Sequence, residues 1–121
     1  MRRLSFVLVL LALVAAACST AGTGDSGPRR DRNVLTAEDF VALDGASYAY
    51  DAVRRLRGTW LSGRGNSPPR VFVDGVNLGG PDVLRNYRMD SVREIRFIPP
   101  SDATLRFGTG FGGGAIELYT R

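Results

Sequence analysis

The sequence predicts a small α+β domain in which short helices pack on a mixed sheet of about three or four strands. Two segments, Arg93 to Ile98 and Ala115 to Thr120, alternate apolar and polar residues with the period of a half-buried strand. Between Thr36 and Leu56 the apolar residues recur at helical spacing instead. Glycine and proline punctuate the chain between these segments, at Gly58, Ser62 to Pro69, Gly79 to Pro81, Pro99-Pro100 and Gly108 to Gly114.

The domain starts near Val34. Thr36 followed by Ala37, Glu38 and Asp39 is a helix-start signal, with acids in the first turn where the helix dipole favours them. Phe40 and Leu43 supply that helix's apolar face and Gly45 ends it. A second helix is expected from about Ser47 to Leu56, where Tyr50, Val53 and Leu56 form one stripe while Asp51, Arg54, Arg55 and Arg57 point away. Gly58 is expected to stop it, and Trp60-Leu61 to pack back. Ser62 to Pro69 reads as a loop. Arg70 to Val76 has the β-branched and aromatic content of a buried strand ending in an Asp74-Gly75 turn. Pro81 opens a short helix to about Tyr87, and Asp90 can cap one more turn at Ser91-Val92. In the strand Arg93 to Ile98, Ile95 and Phe97 share a face opposite Glu94 and Arg96. Ser101 is expected to cap a helix through Arg106, Gly108 to Gly114 forms a turn, and Ile116 and Leu118 face inward from the last strand.

The N-terminus carries a different signal. Arg2 and Arg3 precede a ten-residue apolar run from Phe6 to Ala15, then Ala16, Ala17 and Cys18, the layout of a secretory signal with small residues at the cut. The run is shorter than the roughly 20 residues a membrane-spanning helix needs. Ala15-Ala16-Ala17-Cys18 resembles a bacterial lipobox, whose first position is more typically Leu, and Cys18 is the chain's single cysteine. Residues 1–17 are read as a signal peptide and Cys18 as the lipidation site, the alternative being an ordinary cut that leaves a free thiol. Multiple acyl chains anchor stably where one does not. Residue 19 is Ser, whereas an Asp there retains enterobacterial lipoproteins at the inner membrane, so the outer membrane is favoured. Ser19 to Asn33 is Ser, Thr, Gly, Asp, Pro and Arg with almost nothing apolar and cannot bury surface to offset its ordering entropy. Residues 18–33 therefore read as a lipidated tether with a reach of roughly 20 Å, and residues 34–121 as the domain.

Composition narrows the chemistry. Without the two signal-peptide arginines the net charge falls from +4 to +2, too small and dispersed to argue nucleic-acid binding. There is no His and no Lys, and Cys18 is consumed by acylation, so the usual bases and nucleophiles are missing and no enzyme is expected. Asp74 is the best candidate for a special carboxylate, against the stronger reading that an Asp before Gly at a strand end bonds turn amides. Asp74, Asp82 and Asp90 follow no metal-loop pattern, and neither a metal nor another cofactor is expected. Gly108 to Gly113 matches the dinucleotide fingerprint by letters, yet a helix is expected before it and a strand after it, the reverse of what pyrophosphate binding requires. Trp60, Tyr87 and Phe107 are expected in core or rim packing.

Taken in order, Val73-Asp74-Gly75, Val92-Arg93-Glu94-Ile95, Ala103 to Gly108, Gly112-Gly113-Gly114 and Ile116 to Arg121 resemble the plug domain of TonB-dependent outer-membrane receptors. Leu35 to Asp39 and Ala49 to Leu56 match the first strand and helix of that family more loosely, and the resemblance covers about 85 residues. It implies a plug-like fold. Receptors of the family continue from the last strand into a barrel, so this sequence is not expected to form a pore by itself. Nothing in Ser19 to Asn33 resembles the energy-coupling box. The expected role is a non-enzymatic outer-membrane lipoprotein, periplasm-facing or surface-exposed, that binds or scaffolds an envelope protein. Asn66 and Phe111, in the two longest loops, and Asp74 are the candidate contacts. The alternative is a periplasmic small-solute module that captures an anion through Arg54, Arg55, Arg57 or Arg106.

If Cys18 is acylated, the intact mass of the native protein should show loss of Met1 to Ala17 plus a lipid increment. An unmodified thiol at Cys18 would exclude it.

Overall fold

The computed structural model describes residues 30–63 and 66–121. The expected signal peptide, Cys18 and most of the expected tether lie outside them. The elements in chain order are β1 (Val34–Thr36), α1 (Ala37–Val41), α2 (Ala49–Ser62), β2 (Arg70–Val73) and β3 (Val76–Gly79), followed by 3₁₀ turns at Pro81–Asn86 and Met89–Ser91, then β4 (Val92–Ile98), α3 (Pro100–Phe107) and β5 (Ala115–Thr120). Five strands form one mixed sheet in the order β1-β4-β5-β2-β3. Its only parallel pairing joins β2 to β5; the other three are antiparallel. The α+β class holds, with one strand more than the upper expectation.

Local chemistry explains most element ends. The Asp39 carboxylate accepts the Thr36 backbone N–H at 2.9 Å and its hydroxyl at 3.2 Å, closing the start of α1. Helix α2 differs from expectation. It is broken at Arg57, whose backbone is non-helical (φ −145°, ψ 54°), but resumes past Gly58 to Ser62. Burial of Trp60 in the core and packing of Leu61 against it favour the extra turn, and the Arg57 guanidinium donates to the carbonyls of Leu56 (2.9 Å) and Arg32 (3.2 Å) at the break. The strand expected from Arg70 to Val76 is a hairpin instead. Asp74 (φ 47°) and Gly75 (φ 87°) both take the left-handed conformation, the requirement of a two-residue type I′ turn that returns the chain beside itself. Pro99, not Ser101, occupies the capping position of α3, with Pro100 as its first residue. Asp90 likewise lies within the turn Met89–Ser91, and Arg88 takes the position before it.

The sheet separates two apolar clusters. On one face Leu35, Val71, Val73, Ile95, Ile116 and Leu118 pack with Val53 and Trp60 of α2 and Leu84 of the first 3₁₀ turn, all buried. Val92 joins this face although it is three residues from Ile95, because a register shift between Val92 and Glu94 absorbs the odd residue. On the other face Phe72, Ile98 and Ala115 pack with Ala103 of α3, and Phe107 and Phe111 lean on them. Helices α2 and α3 therefore lie on opposite faces. Tyr87 packs on the larger cluster.

Ile95, Phe97, Ile116 and Leu118 share the larger cluster as the alternation of β4 and β5 implies. Phe97 stacks on Trp60 with ring centroids 5.5 Å apart and planes 13° apart. Phe97→Ala should cost about 3 kcal/mol in chemical denaturation. Leu105→Ala, at a side chain left 86% exposed, should change stability by no more than about 0.5 kcal/mol. Equal effects of the two substitutions would disprove the core assignment.

Candidate docking site

Parallel pairing decides where the loops go. Because β2 and β5 run side by side with Arg70 opposite Ala115, the segments that precede them emerge at the same end of the sheet. Ser62 is the last residue of α2, so the expected loop begins at Gly63, and its Ser67 and Pro68 meet the glycine turn Gly108 to Gly114. The Arg70 N–H donates to the Gly114 carbonyl at 3.1 Å, and Gly112 lies against the Ser67 side chain. At Gly113 a Cβ would collide with the Ser67 carbonyl and the Pro68 backbone. A shallow cleft of about 220 Å³ between the loops is bordered by Asn66, Ser67, Pro68, Arg70, Gly80 and Gly110.

The three candidate contact residues do not form one site. Asn66 is exposed at the rim of this cleft. Phe111 belongs to the adjoining turn, but its ring is half-buried, 6.0 Å from Phe72 and 5.2 Å from Phe107. Asp74 lies at the other end of β2. Its carboxylate accepts the Thr120 backbone N–H at 3.0 Å and the Thr120 hydroxyl at 2.6 Å, a clasp that ties the β2–β3 turn to the end of β5. These two bonds, with the nearby charge of Arg93 adding to them, hold the Asp74 carboxyl below its usual range.

The remaining candidates are dispersed. Arg55 donates to the Asp44 carbonyl at 2.8 Å and Arg57 is engaged at the helix break, while Arg106 sits on α3 across the sheet. Because α2 and α3 lie on opposite faces of the sheet, Arg106 is separated from Arg54, Arg55 and Arg57, which share α2. Asp82 pairs with Arg85 and Asp90 with Arg88, each at 3.3 Å. Among the described residues no three His, Cys, Asp or Glu side chains are grouped to hold a metal ion. The glycine turn follows helix α3 and precedes strand β5, so it lacks the helix N-terminus on which a pyrophosphate would rest.

No family model matches the sequence, nor does any curated protein. Among solved structures, the chain is similar to the siderophore receptor PirA from Acinetobacter baumannii, with a TM-score of 0.53 and 21% identity over 73% of this chain. The matched region spans 17% of that receptor. At this identity the likeness is one of fold, and it agrees with the plug-like fold that the order of sequence motifs implies. No helix among the described residues is long and apolar enough to cross a membrane.

The Asp74 clasp makes a pH prediction. A carboxyl whose folded pKa is depressed stabilises the fold above its unfolded pKa and loses that contribution as the pH falls through the folded value. The stability gap between wild type and Asp74→Asn should thus be present near neutral pH and shrink in acid, below the ordinary carboxylate range. Urea unfolding at pH 6 and pH 3 measures it. A gap that widened in acid would contradict the clasp.

Proposed function

We propose that this chain is a non-enzymatic lipoprotein, anchored through Cys18 to the bacterial outer membrane, whose plug-like domain docks an envelope protein at the end of the sheet where the Ser62–Pro69 and Gly108–Gly114 loops meet. The observation that carries this reading is the meeting itself. Two long loops rest on adjacent, fully hydrogen-bonded strands, and loops held by a rigid scaffold are the usual carriers of recognition. Among the described residues, Asn66, Ser67 and Pro68 border the cleft at this end, with Gly110 and the exposed Arg70 beside them. Such a surface offers amide and carbonyl groups to a partner at little side-chain entropy cost. The likeness to part of a siderophore receptor supports an envelope setting. The anion-capturing alternative would have to use Arg54, Arg55 and Arg57 without Arg106, which lies across the sheet.

The test is site-specific photo-crosslinking in the native envelope. Because the Phe111 ring is packed inward, Thr109, exposed in the same turn, is the better probe position beside Asn66. Crosslinkers at Asn66 and Thr109 should capture the same discrete protein, and one at Arg54, on the exposed side of α2, should not. Absence of a shared product, or an identical product from Arg54, would remove the docking reading.

A further inference from the structure

We propose that a second cleft, beside Trp60, binds a small uncharged solute through one aromatic ring. The cleft has a volume of about 410 Å³, within the roughly 300–1,000 Å³ of ordinary ligand sites. Trp60, Phe97, Pro99 and Pro100 wall it, with Asn33 and Thr59 at the rim.

Two observations select the ligand. First, among the described residues no ionisable side chain lines this cleft. The contrast is with the cleft beside β1, where five of the seven lining residues are charged. A charged solute entering beside Trp60 would lose hydration against these uncharged walls, so the ligand is neutral. Second, the walls are rings held in place. The near-parallel Trp60–Phe97 stack is fixed by the core beneath it, and the two prolines line the same cleft with rigid rings of their own. Contact with such rings favours an aromatic partner over a saturated one of the same size by about two- to tenfold. The side chains of Asn33 and Thr59 make no hydrogen bond to the other described residues, so an amide and a hydroxyl remain to meet a polar substituent at the ring's edge. Gly113 completes the wall with backbone alone, which places this cleft against the proposed docking end without depending on it.

Trp60 is the chain's single tryptophan, so its indole N–H gives one resolved reporter in a ¹H–¹⁵N spectrum of the purified protein. Benzyl alcohol should shift that signal saturably, with a Kd in about the millimolar range for so small a probe. Cyclohexylmethanol should bind about two- to tenfold more weakly, and benzoate should give no saturable shift. Thr59→Glu, at an exposed helix position, should weaken benzyl alcohol binding while leaving the spectrum of the fold intact. No saturation by benzyl alcohol, equal affinity for its saturated counterpart, or indifference to Thr59→Glu would each overturn the proposal. Saturation with no protein captured from Asn66 would establish the cleft and remove only the docking reading.

Discussion

Strand β5 reaches its place only because the chain has no side chain at Gly113 and Gly114. At Gly114 the backbone takes φ 83°, and a Cβ would fall 2.6 Å from the Ile98 carbonyl and 3.0 Å from the Phe97 ring. At Gly113 it would meet the Ser67 and Pro68 backbone. Except for the Phe97 ring these obstacles are backbone and cannot rotate aside. Once past them the chain enters β5 between β4 and β2, and both neighbours depend on it for their hydrogen bonds. Ile116 and Leu118 then sit in the larger cluster, fully buried. The sheet, the meeting of the two long loops and the wall of the Trp60 cleft follow from that one close approach.

The two faces of the sheet are finished differently. Helix α2 and the first 3₁₀ turn cover one face, where Val53, Trp60 and Leu84 meet the strand residues. Among the described residues, the other face is covered where Phe72, Phe107 and Phe111 gather under α3 and the glycine turn. Its remaining part is polar and locally compensated. Arg96 pairs with Glu94 at 2.8 Å, and the Tyr119 hydroxyl donates to Glu117 at 3.0 Å. Burial, with that bond and the adjacent Glu117 charge adding to it, holds the Tyr119 hydroxyl above its ordinary range, so it remains a neutral donor across the physiological pH range.

The many arginines do little for stability individually. Most of their ion pairs are exposed and join near neighbours in sequence, such as Arg85 with Asp82 and Arg88 with Asp90, and pairs of that kind contribute roughly 0–1 kcal/mol. Their more consequential contacts are with backbone carbonyls. Arg57 spans the break in α2 and reaches the Arg32 carbonyl, joining the helix to the segment that leads into β1. Arg85 also lies 3.7 Å from the Tyr50 ring centre, fastening the first 3₁₀ turn to α2.

Much of the fold was legible in the sequence. Strong alternation marked β5 with its observed bounds and β4 to within one residue, because half-buried strands must place every second side chain in the core. Thr36 and Asp39 marked the start of α1, and Gly108 to Gly114 marked a turn, because capping and positive-φ requirements are local. Asp74 was recognised as a turn carboxylate, although its partner Thr120, 46 positions away, was not. Tertiary structure alone decided the rest. Strands β1 and β3, three and four residues long, are too short for a periodic signal and exist because longer neighbours offer them hydrogen bonds. Helix α2 runs past Gly58 because Trp60 gains burial there. The meeting of the two loops and the Trp60 cleft depend on β2 lying parallel to β5, and no local pattern records which distant strand a strand will pair with, or in which direction.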